Sequence, residues 1–289
     1  MRTIRFAPVV VAIALSSACG DVNAALARLA EARWLAAQLH VQFAKAADAA
    51  SRAVIAESDA QAVTFAREAE QASAAVESGI RNLAPLLADA DYATEAQRLE
   101  AFTSRFAEYR DLDRRILDLA VDNTNLKAQR LSFGPAQQAA DAFRDALAAV
   151  VPAHPARDAW QVRALTAAAV VNVREIQVLH APHIADPEDA AMTRMEARMA
   201  TSEAGARAAL ASLAAVAAPE SREKLTAATA ALDRFMALNA ELIALSRRNT
   251  NVRALALSLD QKRKVAAECE TELRALQDAL ADRVHPLGR

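Results

Sequence analysis

Two copies of one short polar motif stand at matching places in the sequence. Asn123-Thr124-Asn125 and Asn249-Thr250-Asn251 are separated by 126 positions, and each lies within a helical pattern of apolar residues. Asparagine is a poor helix former, and its amide needs hydrogen-bond partners when it is buried. Amides in such places either fix how helices pair or bind a polar ligand.

The spacing around each motif places its first asparagine on an apolar seam. Residues at alternating intervals of four and three form one face of a packed helix. The two seams read Leu119, Asn123, Leu126, Arg130, Phe133 and Leu245, Asn249, Val252, Ala256, Leu259. We therefore predict that Asn123 and Asn249 face the core on parallel helices and approach each other. Asn125 and Asn251 are predicted to lie off the seam.

Basic side chains accompany both motifs. Arg248 and Arg253 flank Asn249, and Arg130 lies on the seam of the first copy. One interpretation is a ligand-binding site for a small anion, formed by Asn123, Asn249, Arg248, Arg253 and Arg130. A second is a buried amide layer that fixes helix register at some cost in stability. A third leaves the asparagines facing water.

A histidine pair suggests a different chemistry. His180 and His183, followed by Met192, Met195 and Met199, have the side chains of a soft-metal site for copper or silver. Methionine at helical spacing more often fills a core, so we expect neither a metal nor a cofactor. The sequence has no His-Glu-x-x-His motif, no Cys-x-x-Cys-His motif and no glycine-rich phosphate loop. We expect a protein without catalytic residues that is not an enzyme.

Composition and periodicity predict the elements that carry these residues. The chain is 54% apolar but only 4% aromatic, which is typical of long helices. Helical patterns cover 21–87, 94–151 with a kink at Gly134-Pro135, 158–216 with an interruption at 180–189, and 222–283. Four such helices predict an all-α fold, a long antiparallel up-down-up-down four-helix bundle built from a duplicated helical hairpin. Two stacked bundle modules are the alternative.

The first residues have the features of a targeting segment. Arg2 and Arg5 precede an apolar stretch, and Ser16-Ser17-Ala18 resembles a cleavage site, so we predict a signal peptide over 1–18 and a bundle over 19–289. Cys19 stands where bacterial lipoproteins carry a lipid anchor, and plain secretion is the alternative. Either route places the protein in the periplasm or on a membrane facing it. The net charge of −2 gives no reason to expect nucleic acid as a partner.

The segment 235–280, FMALNAELIALSRRNTNVRALALSLDQKRKVAAECETELRALQDAL, resembles the periplasmic four-helix-bundle sensory domains of bacterial methyl-accepting chemotaxis receptors. The segment 106–133 resembles this segment within the same chain, and the similarity to the sensory domains is greatest over 244–262. It implies a small-molecule ligand such as an organic acid or amino acid, a membrane receptor as partner, and a homodimer. We expect no second membrane helix after Arg289, and we therefore expect that the chain does not transmit a signal across a membrane alone. The competing hypotheses are a structural or interaction rod of the cell envelope and, with less support, a soft-metal-binding bundle.

Overall fold

The computed structural model describes residues 9–151 and 159–283, with side chains from residue 23 onward. Within these ranges the chain is helical and has no strand, so the predicted all-α class is confirmed. The α-helices are α1 Val9–Val54, α2 Asp59–Asp89, α3 Ala93–Asp122, α4 Thr124–Leu131, α5 Gln137–Ala148, α6 Ala159–Ala185, α7 Asp189–Val216, α8 Arg222–Arg248, α9 Thr250–Leu257 and α10 Arg263–Asp282. A 3-10 turn, Pro219–Ser221, precedes α8, and π-helical turns Ser132–Ala136 and Ser258–Lys262 precede α5 and α10.

The chain forms two compact units, each with its own core. Unit 1 contains the residues up to 121 and from 255 onward, and unit 2 contains residues 122–254. Side chains of α1, α2, α3 and α10 form the core of unit 1, whereas α5, α6, α7 and α8 supply most of the core of unit 2. Each unit therefore buries the apolar faces of four helices, which is the packing of a helical bundle.

The prediction of one helix over 21–87 is wrong, because α1 and α2 form a hairpin. The two helices pack against each other, and Arg52 on α1 pairs with Glu68 on α2, as antiparallel neighbours do. The hydroxyl of Ser58 begins α2 by accepting a hydrogen bond from the backbone N–H of Gln61 at 3.2 Å. The single long up-down-up-down bundle is accordingly not confirmed.

The predicted interruption of the third helix is confirmed, and it is a second turn. α6 and α7 pack as another hairpin on either side of residues 186–188. Asp186 does not occupy the N-cap position of α7. Its carboxylate accepts a hydrogen bond from the backbone N–H of Glu188 at 2.8 Å, and Glu188 occupies the N-cap position. The turn is therefore set by the short acidic side chain that lies two residues before the N-cap residue.

The two π-helical turns stand 126 residues apart. The first contains Gly134 and Pro135, where the sequence predicts a kink, and the wider turn accommodates a proline that has no N–H to donate. The second contains neither glycine nor proline, and sequence reasoning does not predict it. Each turn brings a polar residue into a core, Ser132 in unit 2 and Lys262 in unit 1.

Buried positions recur at the same interval. Seven buried residues of α3 have buried counterparts in α8, namely Leu99/Leu225, Phe102/Ala228, Phe106/Leu232, Tyr109/Phe235, Asp113/Asn239, Ile116/Leu242 and Ala120/Ser246. Exposed positions recur as well, because Trp34 is 61% exposed and its counterpart Trp160 is 71% exposed. The two units can therefore be compared position by position.

Parts of the predicted targeting segment and of one connection lie outside the described residues. These are residues 1–8, the side chain of Cys19, and residues 152–158. In the ranges that the structure does describe, no helix has both the length and the apolarity needed to span a membrane.

Candidate functional site

The two Asn-Thr-Asn motifs meet in unit 2 and exchange matching hydrogen bonds. The backbone N–H of Thr124 donates to the hydroxyl of Thr250 at 3.0 Å, and the reverse bond is 3.2 Å. The N–H of Asn125 donates to the side-chain oxygen of Asn251 at 3.2 Å, and the reverse bond is 3.1 Å. Each motif therefore donates to the other the same hydrogen bonds that it accepts from it, as expected for a local two-fold arrangement.

Side-chain amides complete this layer crosswise. The amide of Asn125 donates to Asn249 at 2.7 Å, and that of Asn251 donates to Asn123 at 2.6 Å. The amides of Asn125 and Asn249 also reach backbone oxygens of the α6–α7 turn, on Ile184 at 2.6 Å and Asp186 at 2.8 Å. The prediction that Asn125 and Asn251 lie off the seam is wrong, because both take part in the layer.

Both first asparagines interrupt their helices. Asn123 and Asn249 have φ values of 51°, in the left-handed region that asparagine adopts more readily than other residues with a side chain. Both are buried, as predicted. The segments that meet here are antiparallel rather than parallel, because Thr124 contacts Thr250 whereas Ala128 packs near the earlier residue Leu242.

The remaining residues of the predicted ligand site do not converge on an open amide. Arg248 pairs with Asp122 at 2.5 Å, whereas Arg253 and Arg130 are exposed. The amides of Asn249 and Asn125 are committed to each other and to backbone oxygens. These contacts favour the interpretation in which the layer fixes the register of the helices.

We predict that replacing Asn249 lowers stability through two separable effects. Asn249→Ala should cost about 2–4 kcal/mol of unfolding free energy, from the left-handed backbone and from buried groups left without partners. Asn249→Gly removes the same amide but tolerates the backbone, so it should be about 1 kcal/mol more stable than the alanine variant. Urea unfolding of both variants measures the difference. Equal stability of the two would show that the backbone conformation is not strained for alanine.

His180 occupies a closed polar pocket in the core of unit 2. Its Nε2–H donates to the side-chain oxygen of Asn239 at 3.0 Å, and the hydroxyl of Ser132 donates to Nδ1 at 3.0 Å. The ring is stacked on Phe235, with centroids 6.0 Å apart. Both ring nitrogens are thus satisfied by a neutral imidazole, and burial lowers the pKa of His180 although the bond to Asn239 opposes that shift.

This lowered pKa predicts a loss of stability in acid. Above about pH 6.5 the ring is neutral in both states, whereas below it the unfolded chain takes up a proton that the folded chain resists. The unfolding free energy should therefore fall with decreasing pH, with a limiting contribution of about 1.4 kcal/mol per pH unit. His180→Gln should show a shallower fall between pH 7.5 and 5.5 in urea titrations. An unchanged slope would exclude His180 as the titrating group.

His183 belongs to an ionic network at the end of the α6–α7 hairpin. It is fully buried, and its ring nitrogens lie 2.8 Å from the hydroxyl of Ser246 and 2.9 Å from the carboxylate of Glu196. Arg247 donates two further bonds to that carboxylate, at 2.7 and 2.9 Å. The hydrogen bond from Arg247 and the one from His183 hold the pKa of Glu196 below its ordinary value against the opposing effect of burial.

The histidines do not form a metal site with the methionines. Both rings are engaged by oxygen atoms of serine, asparagine and glutamate, and Met192 and Met199 are buried in the core. No group of three or more histidine, cysteine, aspartate or glutamate side chains with metal-binding geometry occurs among the described residues. Cys269 is buried with a free thiol, and burial raises its pKa to about 12, which does not favour a nucleophile.

Unit 1 contains a buried ion pair that sequence reasoning missed. Lys262 is the last residue of the second π-helical turn, and its ammonium group contacts the carboxylate of Asp113 on α3 at 2.5 Å. Both side chains are about 5% exposed or less. The ammonium group also lies 5.2 Å from the ring centroid of Tyr109. The hydroxyl of Tyr109 is buried without a hydrogen-bond partner in the described structure. Burial lowers the pKa of Lys262. Burial raises the pKa of Asp113, and the negative charge of nearby Glu70 raises it further.

We predict that this pair is costly to break but replaceable as a whole. Lys262→Met should lower the unfolding free energy by about 3–5 kcal/mol, because it leaves a buried carboxylate unpaired. Adding Asp113→Asn, the residue type that stands at the matching position 239, should restore most of that loss. The four proteins of this double-mutant cycle can be compared by urea unfolding at pH 7. Additive losses would contradict the coupling.

A cavity opens beside the ion pair. It has a volume of about 260 Å³ and is lined by Glu70, Ser73, Arg110, Asp113, Arg114 and Leu117. Ser73 is 5% exposed and makes no side-chain hydrogen bond within the described chain. Arg110 pairs with Glu77, whereas Arg114 has no ion-pair partner among the described residues. A second hollow, lined in part by Arg110 and Arg114, continues along α2 and α3.

Unit 2 lacks this polar set at the matching positions. The residues that correspond to Ser73, Arg110 and Arg114 are the methionines 199 and 236 and the alanine 240. Met199 is buried there, and Met195 and Met236 pack against the same core. Three of the lining positions therefore carry apolar side chains in unit 2 and polar or charged side chains in unit 1, whereas Glu70 and Asp113 correspond to the polar residues Glu196 and Asn239.

No protein-family model, curated protein or solved structure matches the chain.

Proposed function

We propose that the protein is a non-enzymatic, sensor-like module that binds a small molecule in the cavity of unit 1. The observation that carries this proposal is the charged lining of that cavity, which the fold does not need. Unit 2 packs the equivalent helices with methionine and alanine, so packing alone does not call for Ser73, Arg110 and Arg114 in unit 1. Ser73 and Arg114 have no hydrogen-bond or ion-pair partner among the described residues, and a few polar groups in a concave site are typical of ligand-binding sites.

The resemblance of 235–280 to chemoreceptor sensory domains supports the same class of function. We extend the proposal to an extracytoplasmic location, in the periplasm or on a membrane through a lipid at Cys19, with a membrane receptor as signalling partner and a homodimer as the working form. The recurrence of buried positions at an interval of 126 supports the view that the antiparallel bundles arose from a duplicated hairpin. None of these features requires the chain itself to catalyse a reaction.

A ligand in this cavity has a direct way to act on the fold. The lining residues come from α2, which carries Glu70 and Ser73, and from α3, which carries Arg110, Asp113 and Arg114. A molecule that contacts both helices stabilises the arrangement in which both lie at the right distance from it. The ligand therefore shifts the equilibrium between two helix arrangements by the difference in its binding free energy for the two.

We predict that a small organic acid or amino acid raises the melting temperature of the protein. A ligand specific for the folded state adds about 2.7 kcal/mol at 100 times its dissociation constant, or about 5 °C or more for a domain of this size. Arg114→Ala should abolish the shift, since it removes the cation that lacks a partner in the cavity. Differential scanning calorimetry with a panel of these compounds makes the measurement.

Arg115→Ala is the matched control for that experiment. It makes the same change of charge one residue along α3, at an exposed side chain that does not line the cavity. The control should bind like the unmodified protein. A melting temperature that no compound raises, or a shift that both variants lose equally, would contradict a binding site in this cavity.

A second candidate function is that of an interaction module of the cell envelope. The exposed tryptophans at matching places, Trp34 on α1 and Trp160 on α6, favour it, because large apolar side chains on a surface are frequent at protein interfaces. This candidate predicts no ligand-dependent shift. It predicts instead that Trp34→Ala and Trp160→Ala abolish binding to a partner while leaving the melting temperature unchanged.

A further inference from the structure

Glu70 lacks the hydrogen-bond partners that the matching residue of unit 2 has. The matching residue in unit 2, Glu196, receives hydrogen bonds from His183 and Arg247. The positions that match those two partners are occupied in unit 1 by a glutamate at 57 and a valine at 121. Within the described residues Glu70, an exposed side chain at the edge of the cavity, accordingly has neither an ion pair nor a hydrogen bond.

The charges around the cavity leave one group of each sign unpaired. Lys262 neutralises Asp113, and Glu77 neutralises Arg110. The groups that remain without an ion-pair partner among the described residues are the exposed carboxylate of Glu70 and the exposed guanidinium of Arg114, and the buried Ser73 also lines the cavity. Glu70 also lies close enough to Asp113 to raise its pKa, so a cation placed near the two carboxylates would relieve a repulsion.

We infer that the ligand of unit 1 is a small zwitterion, a free amino acid whose amino group meets Glu70 and whose carboxylate meets Arg114. This inference rests on the proposed function, and it deepens it by choosing between organic acids and amino acids. A guanidinium recognises a carboxylate through paired hydrogen bonds, and an ammonium group takes the place that Arg247 and His183 fill in unit 2. A dicarboxylate would meet one cation and one anion, and its second carboxylate would lie against Glu70.

The size of the cavity agrees with this class. Its volume of about 260 Å³ lies below the roughly 300–1,000 Å³ of sites for drug-sized ligands, so a molecule of amino-acid size suits it. Leu117 supplies an apolar wall at the same place, where a short apolar side chain of the ligand could pack. Both charged ends of such a ligand would then have partners while its side chain is shielded from water.

The test compares three sets of probes by calorimetry on the full chain. These are the twenty L-amino acids with β-alanine and γ-aminobutyrate, the N-acetylated forms of the same compounds, and aliphatic mono- and dicarboxylic acids of two to five carbons. Acetylation removes the positive charge and keeps the carboxylate, so it isolates the contribution of the amino group. We expect at least one free amino acid to bind and its N-acetylated form to bind at least tenfold more weakly.

Two variants assign the two ends of the ligand. Glu70→Gln keeps the shape of the side chain and removes its charge, so it should weaken the free amino acid at least tenfold while leaving any binding of the N-acetylated form unchanged. Arg114→Gln should weaken both forms. Glu100→Gln, an exposed glutamate of α3 away from the cavity, is the matched control and should change neither.

The outcomes separate this inference from the function on which it rests. If only carboxylic acids bind, and Arg114→Gln weakens them, the zwitterion inference is overturned while the binding site stands. If a free amino acid and its N-acetylated form bind equally, recognition of the amino group is likewise overturned. If no probe of any set binds, both the inference and the proposed function fail.

Discussion

The exchange of hydrogen bonds between the two Asn-Thr-Asn motifs is the constraint on which the arrangement of unit 2 depends. Each motif ends one helix and begins another, and the left-handed asparagine at each break would expose backbone groups if no partner were present. The twin motif supplies that partner through the same atoms in both directions. Because the asparagines also reach the backbone of the α6–α7 turn, the layer ties three segments of chain to one register.

The two units bury matching positions but differ in the chemistry of their buried polar residues. Matching positions in α3 and α8 stay buried, yet the buried polar residues differ, with Asp113 and Lys262 in unit 1 and Asn239 and His180 in unit 2. A buried polar group is tolerated when its hydrogen bonds are satisfied, and both clusters meet that requirement by different means. The difference that packing does not explain is the open charged cavity in unit 1, whose counterpart in unit 2 is filled by methionine.

Several features could be predicted from the sequence because they rest on strong local signals. The interval of 126 residues and the seam pattern predicted that Asn123 and Asn249 occupy matching, buried positions, and the interruption of the helical pattern at 180–189 predicted the break between α6 and α7. The left-handed conformation was not predicted, because the apolar pattern runs through both motifs without a gap. The hairpin turn at Ser58 was also missed, although Ser58 followed by Gln61 is a capping pattern. The polar lining of the cavity could have been found by comparing the two units position by position, since Arg110 and Arg114 correspond to Met236 and Ala240.

The central claim is that the charged lining of the unit 1 cavity serves binding rather than folding. The most direct test is the unfolding free energy, in urea and without ligand, of the triple variant Ser73→Met, Arg110→Met, Arg114→Ala, which gives these three lining positions the residues of unit 2. The account predicts a stability equal to or above that of the unmodified protein, because apolar side chains then fill a polar cavity. A loss of more than about 2 kcal/mol would show that these residues are needed for the fold, and would contradict the claim.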